Sequence, residues 1–210
     1  MLTVGLTGGY ATGKSFIGAE LERLGATLIR ADDLGRASIE QNGPAYADVI
    51  HEFGSGIVQS DGAINRRRLA AIVFPDETKL ARLNALIHPH VFRSEQQLID
   101  AATRKDESAI VVTEAAIIVE VGSQGRYDKL IVAVCPEPMQ IARAMERDGT
   151  TEQDVRARIA RQMPLDEKAR LADYVIDTSG AKEQTLAQTR TVWRALRTLE
   201  AQRRAAASVA

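Results

Sequence analysis

The chain has 210 residues, 45% of them hydrophobic and 26% charged, a balance that excludes disordered, collagenous and low-complexity classes. Its 27 basic and 28 acidic residues leave a net charge of -1, so there is no general electrostatic pull toward nucleic acid or an anionic membrane, and any anion site has to be local. The single cysteine, Cys135, excludes an internal disulfide and suits a reducing compartment. The longer apolar stretches, such as 130–135, fall far short of the roughly 20 residues that span a bilayer. Residues 1–7 lack the basic flank and long apolar region of a signal peptide. The expectation is a soluble, cytoplasmic protein without nucleic-acid or membrane partners, either a monomer or a weak homo-oligomer.

Short runs rich in Val, Ile and Leu alternate with longer periodic segments, the pattern of an α/β fold with a mainly parallel sheet. In chain order, a strand over 2–7 leads through a Gly-rich stretch to a helix over 14–24, and then to a strand over 27–30. Helices follow over 67–73 and 77–104, strands over 109–113 and 129–134, helices over 138–147 and 152–162, a strand over 174–176 and a helix over 182–203. Pro136 and Pro138 stand where a helix starts and a missing N–H costs little. Thr150-Thr151-Glu152-Gln153-Asp154 reads as a capping box. The helix between the first two strands is what a right-handed crossover requires. Residues 31–108, between the second and third strands, far exceed one crossover. They contain the turn signals Asn42-Gly43-Pro44, Gly54-Ser55-Gly56 and Asp61-Gly62. This predicts a helical insertion over 35–105 on the sheet's ligand side and a smaller, arginine-rich lid over 142–168. The core is then 1–34, 106–141 and 169–204, with 205–210 as a frayed tail.

The segment Gly8-Gly9-Tyr10-Ala11-Thr12-Gly13-Lys14-Ser15 contains the phosphate-loop pattern G-x-x-x-x-G-K-[ST], preceded by a strand and followed by a helix. Glycines let backbone N–H groups turn inward around a phosphate, and the helix N-terminus adds favourable potential. Lys14 is placed to reach the β- and γ-phosphates, and the Ser15 hydroxyl to complete a Mg²⁺ shell otherwise made of phosphate oxygens and water. The absence of an Asn-Lys-x-Asp sequence argues against a GTP switch. Two acids close strands on the ligand side. Glu114 either holds a magnesium-bound water or faces solvent; Asp32 either meets an acceptor hydroxyl or caps a helix starting near Asp33. Arg143 and Arg147 share a helical face, with Arg156, Arg158 and Arg161 on the next helix. Such a cluster either stabilises charge on a transferring phosphoryl group or pairs with Glu146, Asp148 and Asp154 on a solvated face.

Several motifs in this order resemble those of dephospho-coenzyme A kinase, the last enzyme of coenzyme A biosynthesis, across nearly the whole chain. They are Gly5-Leu6-Thr7-Gly8-Gly9 with Thr12-Gly13-Lys14-Ser15, Leu24-Gly25-Ala26 before Ala31-Asp32, and Gly62 through Arg67-Arg68-Leu69 to Val73-Phe74. Leu83-Asn84-Ala85-Leu86-Ile87-His88-Pro89 is the most telling, because a phosphate loop does not account for it. Glu114-Ala115-Ala116-Ile117-Ile118-Val119-Glu120, then Arg143, Arg147-Asp148, Gln162 and Ala172-Asp173-Tyr174-Val175-Ile176, complete the series. Arg30, Ala116 and Thr178 stand where that family often has an acid, a proline and an asparagine.

The resemblance implies a P-loop NTPase fold with a five-stranded, mainly parallel sheet, a helical acceptor-binding insertion and a small helical lid. It implies transfer of the γ-phosphoryl of ATP to the ribose 3′-hydroxyl of dephospho-CoA, with Mg²⁺. Asp32 would act as base, with Lys14 and Arg147 as the other catalytic groups. Gly8, Gly9, Ala11, Thr12, Gly13, Lys14, Ser15, Phe16 and Arg143 would bind ATP; Arg67, His88 and Glu120 would bind the acceptor; Ser15 and Glu114 would serve the metal, the latter through water. The rival readings are a kinase for a nucleoside or nucleoside monophosphate, and a nucleotide-binding switch without an acceptor.

Overall fold

The computed structural model of the chain describes residues 1–207. Five strands, β1 (Leu2–Gly8), β2 (Thr27–Arg30), β3 (Ile110–Glu114), β4 (Lys129–Val134) and β5 (Tyr174–Asp177), form one sheet in the order β2-β3-β1-β4-β5. Every pairing is parallel. The sequence spacing marks all five strands within a residue or so at each end, because each is a short apolar run; central β1, β3 and β4 are largely buried, while the edge strands β2 and β5 are partly exposed. It does not show that β3 inserts between β1 and β2. Central β1 therefore pairs with β3 on one side, Leu2 opposite Ile110 and Leu6 opposite Glu114, and with β4 on the other, Gly8 opposite Ala133. From β1 the chain runs to β2 on one side, returns through β3 and then crosses to β4 and β5 on the other, so the crevice beyond the carboxyl end of β1 is the switch point where α/β sheets bind ligands.

The helices of the sheet-bearing unit are α1 (Lys14–Arg23), α6 (Glu137–Asp148), α7 (Glu152–Ile159), α8 (Leu165–Arg170) and α9 (Lys182–Ala207); between β2 and β3 lie α2 (Ala31–Ser38), α3 (Tyr46–Phe53), α4 (Arg66–Val73) and α5 (Glu77–Lys105). The periodic segments do not single out α2, α3 and α8, which are six or eight residues long, although a helix near Asp33 is expected and α2 supplies it. Pro89 lies inside α5, within the helix expected over 77–104. Thr151 caps α7 by accepting from the Asp154 N–H, while Asp154 in turn accepts from both the Thr151 and Thr150 hydroxyls. The expected tail is helical through Ala207, and the remainder of that stretch, 208–210, lies outside the described residues. No helix among the described residues is long and apolar enough to cross a membrane.

Two compact units result: Met1–Arg30 with the chain from Ala101 onward, and Ala31–Asp100. In the first, Leu2, Val4 and Leu6 of β1, all fully buried, pack with Ile17 and Leu21 of α1 and Leu196 of α9. The second has a core of its own, built on Ile39, Val49, Ile57, Leu69 and Val73. Arg143, Arg147 and the rest of α6–α8 belong to the first unit.

Glu20, only 6% exposed, ties α1 to α9. Its carboxylate accepts from Arg23 at 2.7 and 2.8 Å and from Arg190 Nε at 2.8 Å. The Arg23 hydrogen bonds lead in lowering its pKa to about 2, against the desolvation that opposes them. A carboxyl depressed on folding stabilises fully above its ordinary value of 4.5, and that contribution is lost as pH falls toward 2. Glu20→Gln should therefore melt a few degrees lower at pH 7. In melts run down a pH series, the gap to wild type should close below pH 4.5 and above pH 2. A gap independent of pH would assign the loss to packing.

Candidate active site

The phosphate loop begins where β1 meets its neighbour. A Cβ on Gly8 would lie 2.5 Å from the Ala133 carbonyl oxygen of β4, so only glycine lets the two backbones run this close. Gly13, the N-cap of α1, has φ +84°, the left-handed region that a side chain disfavours. Ala11 adopts φ +57° despite its Cβ, a backbone strain of the kind that collects at ligand-binding loops. The loop is closed by Thr12 Oγ1 and Lys14 Nζ, both donating to the Gly9 carbonyl at 2.9 Å.

Ser15, at the first turn of α1, donates its hydroxyl to Glu114 Oε1 at 2.5 Å. The Leu6–Glu114 register puts that acid at the carboxyl end of the adjacent strand. Glu114 Oε2 is buried without a hydrogen-bond partner among the described residues. Glu114 is thus aimed at the Ser15 hydroxyl rather than at solvent. Such an unsatisfied anionic oxygen fits a divalent cation shared with phosphate oxygens. No cluster of three or more His, Cys, Asp or Glu suited to a metal occurs among the described residues.

Beside the loop, Gly13, Phe16, Arg143, Thr178, Gly180, Lys182 and Thr185 line a pocket of about 310 Å³. It gathers three of the residues expected to hold ATP. Thr178 braces it: its hydroxyl lies 2.8 Å from the Thr12 carbonyl and accepts from Arg143 Nη1 at 3.0 Å, while Arg143 Nη2 donates to the Thr178 carbonyl at 2.7 Å. The threonine thus connects the phosphate loop to Arg143. Arg30, another departure, pairs with Glu22 at 3.1 Å.

The arginine helices divide. Arg147 and Arg158 converge on Tyr10 of the phosphate loop, with guanidinium carbons 5.3 and 5.4 Å from the ring centroid. Asp148 chelates Arg147 at 2.7 and 2.8 Å. The paired arginine and the Tyr10 hydroxyl hold the Asp148 carboxyl far below the usual range, and Asp148 raises Arg147 in turn. Arg156 instead pairs with Glu137 and Glu152, a solvated arrangement.

Asp32 is exposed in the first turn of α2. Because α2 starts at Ala31, Asp32 lies inside the helix rather than at its cap. Arg67 is exposed on α4, and His88 on α5 has its ring centroid 5.8 Å from Phe92. Burial lowers the His88 pKa from its ordinary value. Asp32, Arg67 and His88 all belong to the Ala31–Asp100 unit. Glu120, in the other unit, accepts from Lys168 Nζ at 2.5 Å.

Residues 2–184 match the family model for dephospho-CoA kinase. A dephospho-CoA kinase of Thermobifida fusca is 41% identical over 196 residues, 93% of this chain and 96% of that protein. One from Geobacillus kaustophilus is 40% identical over 187 residues, 89% and 92% of the two chains. This chain belongs to the dephospho-CoA kinase family. Among solved structures, TT1252 of Thermus thermophilus superposes with a TM-score of 0.81 at 28% identity, covering 92% of this chain and 96% of that one. The dephospho-CoA kinase of Campylobacter jejuni shares the fold, with a TM-score of 0.60 at 21% identity over 92% of this chain and 96% of its own.

For a dephospho-CoA kinase family member, two positions of this site escape sequence reasoning. Lys168 sits among Asp166, Glu167 and Arg170, which reads as a solvated face. Its side chain is fully buried, and Nζ also donates to the carbonyls of Ala116 at 3.2 Å and Gly8 at 3.4 Å. Tyr10 occupies a position that the phosphate-loop pattern leaves unrestricted. Neither carries a local signal.

Proposed function

We propose that the chain transfers the γ-phosphoryl group of ATP to the ribose 3′-hydroxyl of dephospho-CoA, giving CoA and ADP. Family membership supplies the acceptor. The observation that carries the nucleotide half is the Ser15–Glu114 contact beneath the phosphate loop, in which one carboxyl oxygen accepts from the hydroxyl and the other is buried without a partner among the described residues.

On this reading the N–H groups of Gly13, Lys14 and Ser15 cradle phosphates, and the pocket of Phe16, Arg143 and Thr178 takes the adenosine. Ser15, with Glu114 through water, would hold Mg²⁺, whose chemistry is to neutralise charge shared between the β- and γ-phosphates. Lys14 and Arg147 add donors where charge gathers on the equatorial oxygens. Asp32 orients the 3′-hydroxyl and accepts its proton, while Arg67, His88 and Glu120 serve the acceptor. The segment 142–168 acts as a lid that excludes water and limits futile hydrolysis.

The test is a coupled assay of ADP release with ATP, Mg²⁺ and a panel of acceptors. Dephospho-CoA should be turned over far faster than adenosine or AMP. Equal or faster turnover of a nucleoside or nucleotide would move the chain to another acceptor class. Tight ATP binding with no transfer to any hydroxyl would favour a switch.

A further inference from the structure

We propose that Tyr10 is a positioning residue for phosphoryl transfer, its ring holding the guanidinium groups of Arg147 and Arg158 beside the phosphate loop. The inference rests on the kinase reading above and names a residue that acts through its neighbours.

Three residues of the arginine helices, Arg147, Asp148 and Arg158, meet this one loop side chain, and Gln162 in the turn after them meets its backbone. Besides the two guanidinium carbons at 5.3 and 5.4 Å from its centroid, the Tyr10 hydroxyl donates to Asp148 Oδ2 and accepts from Arg158 Nη1. Its backbone N–H donates to Gln162 Oε1 at 2.7 Å. Tyr10 and Ala11 also pack against the apolar cluster of Ile141, Ala144 and Val155 that joins α6 to α7. The tyrosine is thus both part of the loop and part of the core beneath the arginines.

The chemistry favours this arrangement over an aliphatic contact. Two guanidinium groups brought near one another repel, and Asp148 alone, 2.7 Å from Arg147 and 3.8 Å from an Arg158 nitrogen, offsets only one charge. An aromatic face attracts both cations. A guanidinium resting on a ring keeps N–H groups at its edge for an oxyanion, which a second carboxylate would occupy. Asp148 and a triphosphate compete for the same donors. Tyr10 keeps the arginines in place whichever acceptor they bind.

The experiment compares Tyr10→Leu, which retains apolar packing, with Tyr10→Phe, which retains the ring and loses the hydroxyl. Tyr10→Leu should lower kcat about tenfold, with the Kd for a non-hydrolysable ATP analogue moving by less than about twofold, and Tyr10→Phe should recover most of the loss. In an Arg147→Ala, Arg158→Ala background, Tyr10→Leu should add no further fall, because its targets are gone. An equal fall in both backgrounds, or a rise in Kd matching the fall in kcat, would overturn the proposal and leave Tyr10 as a shaping residue of the loop. Amide hydrogen exchange over 148–162, measured without substrates, should quicken in Tyr10→Leu and stay near wild type in Tyr10→Phe. Unchanged exchange in Tyr10→Leu overturns the clamp whatever the acceptor is. Wild-type failure to phosphorylate dephospho-CoA would instead overturn the kinase reading, with the exchange result still deciding on Tyr10.

Discussion

Lys14→Ala is expected to lower phosphoryl transfer by about 10²–10³-fold, the scale seen when one preorganised donor is withdrawn from developing negative charge. The side chain extends over its own loop to the Gly9 carbonyl, 2.9 Å from Nζ, and no other ammonium is bonded to that carbonyl among the described residues. The loop's shape has independent supports in Gly8, Gly13 and the Thr12–Gly9 hydrogen bond. Deleting the lysine should therefore shift Tm by only a few degrees while most turnover disappears. Steady-state kinetics and a thermal melt on the same preparation decide the matter. Near-normal turnover by a folded Lys14→Ala protein would sink the phosphate-loop assignment.

Asp32→Asn separates catalysis from helix chemistry. If Asp32 accepts the proton of the acceptor hydroxyl, the amide keeps the size but not the basicity, and transfer should fall by about 10²–10⁴-fold. The lower end is expected, because a loose transition state places little demand on a base. If Asp32 only complements the dipole at the start of α2, where Asp33 also stands, the change costs about 0.3–1 kcal/mol of stability and almost no activity. ATP should bind normally in either case, since the phosphate loop is untouched. Full kcat in a stable Asp32→Asn protein would remove the base from the mechanism.

The legibility of the site follows the range of the interactions that build it. Gly13, Lys14 and Ser15 are visible because a phosphate loop is a contiguous solution: each residue type answers a demand made by its immediate neighbours. Phe16 and Arg143 are separated in the chain, yet they share a pocket with Thr178 and Lys182; the charge pattern points to Arg143 as a phosphate contact, and only the family pattern points to Phe16. Thr178 illustrates the limit. As a departure from an expected asparagine it signals a difference, but the sequence does not say that the hydroxyl would link the Thr12 carbonyl to Arg143.

By itself, the sequence determined the five strands, the helices α1, α4, α5, α6, α7 and α9, and the phosphate loop. Burial in the sheet writes a central strand as a short apolar run, amphipathic periodicity writes a helix, and tight turns demand glycine. Only the tertiary structure decided what those segments do to one another. It inserted β3 between β1 and β2, which carries Glu114 to Ser15. It brought Arg147 and Arg158 to Tyr10 and buried Lys168 against Gly8, Ala116 and Glu120. A charged residue reads as solvated until its partners arrive, and here they arrive from distant parts of the chain. Strand order, likewise, is set by how whole faces pack, and no local window of residues contains that information.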